Sequence, residues 1–202
     1  KNCCRQPDDS VTRAVPDRLP RRLALIELPA GEKLYRCHQA RHRPIFFGRN
    51  ILNRFDAPQG EFGVCYLSRS PIGAFAETFL RRARGQFIER DDLYHHAVTR
   101  VRLTKPVKLV QCFGAGLHRN GIDARISSSA DYPEHQQFSR DCFEHQELPD
   151  GLIYRARFDD DQFSIGLYDR ASASISPGTK PLRWLDAGTL LDEVLDLYQI
   201  GI

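Results

Sequence analysis

The pattern of apolar and polar residues is clearest between residues 61 and 84, where it predicts a strand, a tight turn and a helix. Residues 62–68 are rich in β-branched and aromatic side chains, as is typical of a buried strand. Ser70 then stands where a helix N-cap is expected, and Pro71 follows at the first helical position, where its missing N–H costs nothing. We therefore predict that a helix begins at this pair.

Glu77 lies at the edge of the apolar side of this predicted helix. Ile72, Ala76, Phe79 and Leu80 recur at the spacing of one helix face. A carboxylate beside that face is either half-buried or a solvated side chain on the helix flank. Because glutamate is seldom buried without a partner, the spacing alone favours the solvated alternative.

The remaining pattern predicts five more strands and several helices. The strands are expected at 34–38, 94–103, 107–112, 152–157 and 163–168. Helices are expected at 114–121, 134–145 and 189–197, the last with Thr189 as N-cap, and residues 21–28 form a short helix or an extended segment. Loops are expected at 39–60, 85–92, 125–132 and 172–179.

Strands that do not alternate strictly with helices indicate a single-domain α+β fold, with a mostly antiparallel sheet and flanking helices. At 202 residues the chain suffices for one sizeable core. We predict a loose N-terminal arm over residues 1–20 and one domain over residues 21–202.

Composition and charge argue against several kinds of partner and site. The formal net charge of +3 is too mild to indicate direct nucleic-acid binding. No run of about 18 apolar residues predicts a membrane span. Six scattered cysteines without a CxxC pair favour a reducing cytosol. Only His38 with His42 and Cys142 with His145 have ligand-like spacing, and a zinc site needs three or four convergent ligands, so no metal is predicted.

Arginines and aromatic residues interleave before the predicted strand at 62–68. The loop at 39–60 carries four arginines among Phe46, Phe47 and Phe55. Long irregular segments inside compact domains are usually functional or disordered, and the aromatic content argues against disorder. Such a mixture suits a ligand with phosphates and stackable bases. Arg36, on the preceding strand, points either to solvent, the commoner case, or into a cleft for an anion.

Five segments together resemble the RES domain, a family named for an arginine, a glutamate and a serine. They are LYRCH at 34–38, FFGRNILNRFD at 46–56, FGVCYLSRSPIGAFAETFLR at 62–81, DYPEHQQFSR at 131–140 and DGLIYRARFD at 150–159. The resemblance spans about residues 30–170. It implies a bacterial toxin that is encoded beside an Xre-type antitoxin, with a fold similar to the ADP-ribosyltransferase toxins. It also implies that residues 21–202 form a RES-type catalytic domain.

The resemblance also assigns candidate residues. Arg36, Tyr66 and Glu77 match family positions and are the expected catalytic residues. Arg36 and Arg54 are expected to bind the dinucleotide, with Tyr35 and Phe47 as aromatic neighbours.

The family serine is harder to place. Many relatives have a serine where this chain has Ala156, and others have it near the helix at 132–139. Among Ser127, Ser128, Ser129 and Ser139, the binding-site candidates are Ser129 and Ser139. A helix cap and a loop hydroxyl are the structural alternatives for these two.

The implied activity is cleavage of the nicotinamide–ribose bond of NAD+ as substrate, by phosphorolysis or hydrolysis. Inorganic phosphate is the optional co-substrate, and no metal is required. Two alternatives stay open: an ADP-ribosyltransferase that modifies a specific protein, and a non-catalytic nucleotide-binding module, for which Ala156 is the hint. The expected partner is a proteinaceous antitoxin that covers the cleft, with a homodimer left open. The expected location is the cytoplasm, including that of a target cell into which the chain is delivered.

Overall fold

The computed structural model describes residues 14–81, 83 and 86–202 of the chain. The predicted loose arm lies outside the described residues up to residue 13. Its remainder is packed against the body of the protein: Ala14 is buried, and its N–H donates to Oε1 of Glu134 at 2.9 Å. Residues 14–20 are therefore not loose, because Val15 and Leu19 pack against a hydrophobic core.

The described residues form nine strands and six α-helices. The strands are β1 Leu25–Leu28, β2 Lys33–Gln39, β3 Val64–Ser68, β4 His96–Leu103, β5 Val107–Cys112, β6 Gly151–Ala156, β7 Asp159–Tyr168, β8 Ile175–Pro177 and β9 Leu182–Arg183. The α-helices are α1 Pro71–Phe75, α2 Arg90–His95, α3 Ala115–Arg119, α4 Arg125–Ser128, α5 Tyr132–Glu144 and α6 Thr189–Tyr198. A π-helical turn at Ala76–Leu80 continues α1, and 3₁₀ turns lie at Asp169–Ser174 and Trp184–Asp186.

All nine strands join one sheet in the order β1-β5-β6-β7-β3-β2-β4-β8, and β9 pairs with β4. Every strand pair is antiparallel except β5 with β6, which is parallel. The fold class predicted from the sequence is therefore confirmed: one α+β domain on a mostly antiparallel sheet.

Three hydrophobic cores hold the helices to this sheet. In β6, the neighbouring residues Leu152 and Ile153 belong to different cores, as expected for side chains that alternate across a strand. Phe138 of α5 packs in the core that contains Leu152, whereas Phe75 of α1 and Val194 of α6 share the third core. The site described below lies where α1 and its π-helical extension cover the sheet.

The structure corrects several local predictions. Residues 21–28 take the extended alternative and include β1. Part of the expected loop at 85–92 starts helix α2, so β4 begins at His96 instead of residue 94. The expected loop at 125–132 contains helix α4. The expected loop at 172–179 contains strand β8, because β4 supplies backbone partners for it. Gly188, with positive φ, takes the N-cap position of α6 that was predicted for Thr189.

Among the described residues, no helix has both the length and the apolar composition to cross a membrane.

Candidate active site

A cavity of about 830 Å³ lies over the centre of the sheet. That volume falls within the range of roughly 300–1,000 Å³ that is usual for ligand pockets. The cavity is lined by residues of β2, β3, β4, β6 and β7, of α1 and its π-helical extension, of α5, and of the loops after β2 and β6. The polar and aromatic residues of this lining include Tyr35, Arg36, His38, His42, Arg43, Phe46, Asn53, Arg54, Tyr66, Glu77, Arg81, His96, Tyr132, Tyr154, Arg157, Phe158 and Ser164.

Glu77 stands on the π-helical turn. As predicted, Ser70 caps α1 by accepting the N–H of Gly73 at 2.9 Å. The helix then widens into the π form at Ala76, a local irregularity that is frequent at functional sites. Gly73 packs so closely on β3 that a Cβ would overlap Oγ of Ser68, which keeps this segment tight against the sheet.

The carboxylate of Glu77 is only partly exposed and faces the cavity. Its Oε1 accepts the N–H of Arg157 at 3.1 Å and the hydroxyl of Ser164 at 3.4 Å. Burial raises the pKa of Glu77, while these hydrogen bonds and the charge of Arg54 act in the opposite direction. The solvated alternative that the spacing favoured is therefore wrong. Residues of the β6–β7 hairpin cover this face of the helix, and the hairpin is distant in sequence.

Arg36 points into the cavity and not to open solvent. Its Nη1 donates to the carbonyl of Phe46 at 2.8 Å and to Sγ of Cys65 at 2.9 Å. A guanidinium has five N–H donors, so Nε and Nη2 are left for a ligand. Anchoring through one nitrogen fixes the plane of the group while the other edge stays open.

Arg54, in the segment between β2 and β3, is also anchored through one nitrogen of its guanidinium group. Its Nη1 donates to the carbonyl of Ser129 at 2.6 Å and to that of Ile126 at 3.3 Å. The guanidinium carbon lies 5.4 Å from the ring centroid of Tyr132. Burial lowers the pKa of Arg54, and the nearby Glu77 carboxylate is among the groups that raise it. An arginine remains charged under these conditions, so the cavity holds two fixed cations that each keep one free edge.

Tyr66 lines the cavity, but its hydroxyl is already engaged. The hydroxyl donates to Oδ1 of Asp56 at 2.9 Å and accepts the N–H of Phe55 at 3.0 Å. Burial and the charge of Asp56 raise the pKa of Tyr66 well above its usual value. Since its single proton goes to Asp56, Tyr66 offers a ligand its ring and not an acidic proton.

Three of the residues predicted to bind the dinucleotide do not line the cavity. Phe47 packs against a hydrophobic core, where its side chain lies under Gly63. Ser139 is fully buried and donates its hydroxyl to the carbonyl of Phe55 at 2.8 Å. The hydroxyl of Ser129 accepts the N–H of Asp131 at 3.0 Å, and its contribution to the site is the carbonyl that holds Arg54. These residues support the site from outside.

Sequence reasoning missed the contributions of β6 and β7. Ser164 lies between Ser68 of β3 and Tyr154 of β6 in the register of the sheet, and its hydroxyl reaches Glu77. Arg157, at the turn of the same hairpin, supplies the backbone N–H to this carboxylate. Strand pairing alone places these residues opposite Glu77, and no local motif around residue 164 marks it.

Within the described part of the chain, no group of three or more His, Cys, Asp and Glu side chains is placed to hold a metal ion. Cys37, Cys65, Cys112 and Cys142 are all free thiols. The described site therefore consists of one carboxylate, several arginines, histidines and aromatic rings.

Known proteins share this sequence pattern and this architecture. A family model described as the RES domain matches residues 33–186, which include every residue named in the cavity. A chain of the crystal structure titled "M.tuberculosis MbcT-MbcA toxin-antitoxin complex" superposes with a TM-score of 0.64 at 13% sequence identity, over 83% of this chain and 91% of that chain. No curated protein sequence gives a significant match. Because the family model covers most of the chain, the protein belongs to the RES domain family.

Proposed function

We propose that the protein is a toxin that consumes NAD+ by cleaving the bond between nicotinamide and ribose. The observation that carries this proposal is the convergence of Glu77 with Arg36 and Arg54 on one cavity. Membership of the RES family supports it, since the family resemblance implies NAD+ degradation.

Glu77 has the position and chemistry to promote departure of nicotinamide. When the C1′–N bond breaks, its electron pair goes to the ring nitrogen and neutralises the nicotinamide cation. The ribose then takes on oxocarbenium character, and a nearby carboxylate stabilises the developing positive charge. A nucleophile finally forms the new bond to C1′. No proton need be supplied to the leaving group, so positioning and electrostatics suffice.

The two anchored arginines suit the pyrophosphate. Each keeps Nε and Nη2 open, and these two donors form the fork that binds phosphate oxygens in a bidentate manner. Because both guanidinium groups are already fixed by backbone carbonyls, binding costs little further side-chain entropy. Tyr66, Tyr132 and Tyr154 give the cavity flat apolar walls for the rings of the substrate.

The direct test is incubation of the purified protein with NAD+ and measurement of released nicotinamide. Glu77→Gln keeps the size of the side chain but removes its charge, so we expect kcat to fall by about 10²-fold or more. Arg54→Ala should mainly raise KM, because it removes a contact to the ground-state pyrophosphate. Glu89→Gln is the matched control, since Glu89 is an exposed glutamate outside the cavity. Equal rates for the wild type, Glu77→Gln and Arg54→Ala would refute the assignment.

Product identification decides what attacks the ribose. ADP-ribose indicates water, ADP-ribose 1″-phosphate indicates inorganic phosphate, and label in a protein band indicates ADP-ribosyl transfer. We propose phosphate or water as the acceptor, with phosphate tested by its addition to and removal from the reaction. Nicotinamide release in the absence of any protein acceptor would count against obligatory protein modification.

A proteinaceous antitoxin is the proposed partner. Support comes from the structural neighbour, which was crystallised as a toxin-antitoxin complex. Two exposed phenylalanines, Phe46 and Phe158, line the cavity and offer apolar anchors to a protein that closes it. Toxicity on expression of the chain alone, relieved by Glu77→Gln, is the expected cellular result. We also propose that the toxin acts in the cytoplasm.

A further inference from the structure

Among the described residues, strands β2 and β3 are neighbours in the sheet that pair at a single position. Tyr35 lies opposite Ser68, whereas β2 pairs with β4 through all seven of its residues. Cys37 and His38 of β2 and Tyr66 of β3 lie beyond the paired position and line the cavity. The cavity therefore opens where the pairing between β2 and β3 ends. We call this opening between the two strands the gap.

The loop after β2 is fixed to β3 next to the gap. Gly48 of this loop and Val64 of β3 exchange both of their backbone hydrogen bonds, each at 3.0 Å. The carbonyl of Phe46, two residues before Gly48, accepts Nη1 of Arg36 at 2.8 Å. Arg36 is thus tied to a loop whose position is set by backbone pairing with β3.

Cys65 supplies a second acceptor for the same nitrogen. Its Sγ accepts Nη1 of Arg36 at 2.9 Å, and the whole residue is fully buried. The side chain of Arg36 therefore connects β2 to β3, where the two strands no longer pair. Burial raises the pKa of the Cys65 thiol, so the group stays protonated at neutral pH and is an uncharged acceptor.

An uncharged acceptor suits an arginine that has to bind an anion. A carboxylate in the place of the thiol would also orient the guanidinium, but it would balance the positive charge that a pyrophosphate needs. The two acceptors that hold Arg36 are a thiol and a backbone carbonyl. Arg54 is held by two backbone carbonyls. Both arginines are therefore fixed in place by groups that leave their charge available to a ligand.

We propose that Cys65 is a positioning residue for substrate binding: its thiol holds the Arg36 guanidinium so that Nε and Nη2 face the pyrophosphate of NAD+. This inference rests on the proposed function, because that function assigns the pyrophosphate to Arg36. Cys65 does not line the cavity, so it acts through Arg36. A long side chain loses rotamer freedom when it binds a ligand, and an anchor that fixes it beforehand removes part of that cost.

The alternative is a role in packing alone, since Cys65 also belongs to a hydrophobic core. Cys112 separates the two roles because it is likewise a buried free thiol on a strand of the same sheet. Its Sγ donates to the carbonyl of Val110 at 3.6 Å, and the residue does not line the cavity. Alanine at either position removes the same sulfur atom from a buried strand. A difference between the two variants therefore reports the contact with Arg36.

The first test measures KM and kcat for NAD+ in the wild type, Cys65→Ala, Cys65→Ser and Cys112→Ala. We expect Cys65→Ala to raise KM about tenfold with a much smaller change in kcat, because a hydrogen bond that supports ground-state binding is lost. Cys65→Ser keeps an uncharged acceptor and should restore most of the affinity, and Cys112→Ala should leave KM unchanged. Equal KM values in Cys65→Ala and Cys112→Ala, or no rescue by Cys65→Ser, would overturn the inference.

A double-mutant cycle shows whether Cys65 acts through Arg36. In an Arg36→Ala background the anchored group is absent, so Cys65→Ala should raise KM no further. An additional increase as large as that in the wild-type background would mean that Cys65 affects the cavity by another route, and it would contradict the positioning role.

Calorimetric binding of ADP-ribose, which retains the pyrophosphate, makes the inference independent of turnover. Weaker binding to Cys65→Ala than to Cys112→Ala supports the positioning role even if NAD+ is not cleaved, in which case the proposed function fails alone. Cleavage of NAD+ with equal ADP-ribose affinity in the two variants overturns the inference and leaves the proposed function standing. A wild-type protein that neither binds ADP-ribose nor cleaves NAD+ would refute both.

Discussion

Asp56 and Glu77 are two carboxylates on either side of Tyr66 in the sequence, and the protein holds them in opposite ways. Asp56 is 1% exposed and accepts four hydrogen bonds, from the N–H groups of Leu52 and Asn53, the Asn53 amide and the Tyr66 hydroxyl. Glu77 accepts two, both on Oε1, at 3.1 and 3.4 Å. Asp56 is satisfied by the protein, whereas Oε2 of Glu77 has no hydrogen-bond donor among the described residues.

The difference separates a carboxylate that builds the site from one that faces a ligand. Asp56 fixes the turn at residues 52–54, and through it the Arg54 side chain, against β3. Glu77 is left with a raised pKa and an open oxygen at the cavity wall. A partly desolvated carboxylate with an open oxygen gains from a ligand that supplies a donor or a positive charge. Substitution at the two positions should accordingly affect different properties.

The largest effect on stability is expected from Asp56→Ala. The change leaves the donors of the 52–53 turn and the Tyr66 hydroxyl without their acceptor, and each unsatisfied buried group costs roughly 1–3 kcal/mol unless water reaches it. We expect a loss of about 3 kcal/mol in the free energy of unfolding, measured by urea denaturation. Asp160→Ala, at an exposed aspartate, is the control. A loss as small as that of the control would show that the turn does not depend on Asp56.

Ser139→Ala comes next and tests the serine that the sequence proposed for the site. Its hydroxyl bonds the Phe55 carbonyl and lies 3.2 Å from the Tyr168 hydroxyl, inside the core and away from the cavity. We expect a loss of about 1–2 kcal/mol in stability, with nicotinamide release per folded molecule retained. Ser128→Ala, at an exposed serine, should change stability by no more than about 0.5 kcal/mol. Loss of turnover at unchanged stability would return Ser139 to the site.

Local sequence signals were sufficient where the structure depends on neighbouring residues. Ser70 and Pro71 start a helix because capping involves atoms only three residues apart, and the prediction is confirmed. The motif resemblance likewise selected Arg36, Arg54 and Glu77, which line one cavity. Their roles in binding and catalysis stay predictions.

Long-range contacts explain what the sequence did not reveal. The exposure of Glu77 was predicted wrongly because the β6–β7 hairpin, about 80 residues further along the chain, covers it. Helix α4 was missed because its polar residues resemble a loop, although Ile126 at its centre is fully buried in a core. Ser129 and Ser139 were chosen by motif position, which does not reveal whether a hydroxyl points to a cavity or to a carbonyl.

Ser164→Ala should have a smaller effect than the two substitutions above, and the property that it changes is activity. Its hydroxyl is one of the two groups that orient Oε1 of Glu77, so its loss should reduce kcat/KM by several-fold, less than loss of the Glu77 charge. The hydrogen bond lowers the pKa of Glu77, and its removal should move the acidic limb of the pH–rate profile to higher pH. Ser164→Thr, which keeps the hydroxyl, should restore both. A rate loss without a shift of the acidic limb would indicate a role in packing alone.

The smallest expected effect is the pH dependence of stability that Glu77 itself contributes. Burial raises its pKa in the folded protein above the usual 4.5, so between these two values the folded chain binds more protons than the unfolded chain. The contribution of Glu77 to stability is therefore complete below the usual pKa and is lost as pH rises through the raised one. Glu77→Gln cannot ionise and lacks this loss.

The difference in unfolding free energy between Glu77→Gln and the wild type should accordingly shift in favour of the variant as pH rises from about 4 to about 7. Groups that titrate elsewhere act on both proteins and cancel in this difference. Urea midpoints measured across the range provide the comparison. Parallel curves would mean that the Glu77 carboxylate is as well solvated in the folded chain as in the unfolded one. A carboxylate solvated to that extent would not stabilise a cationic ribose by more than it would in water.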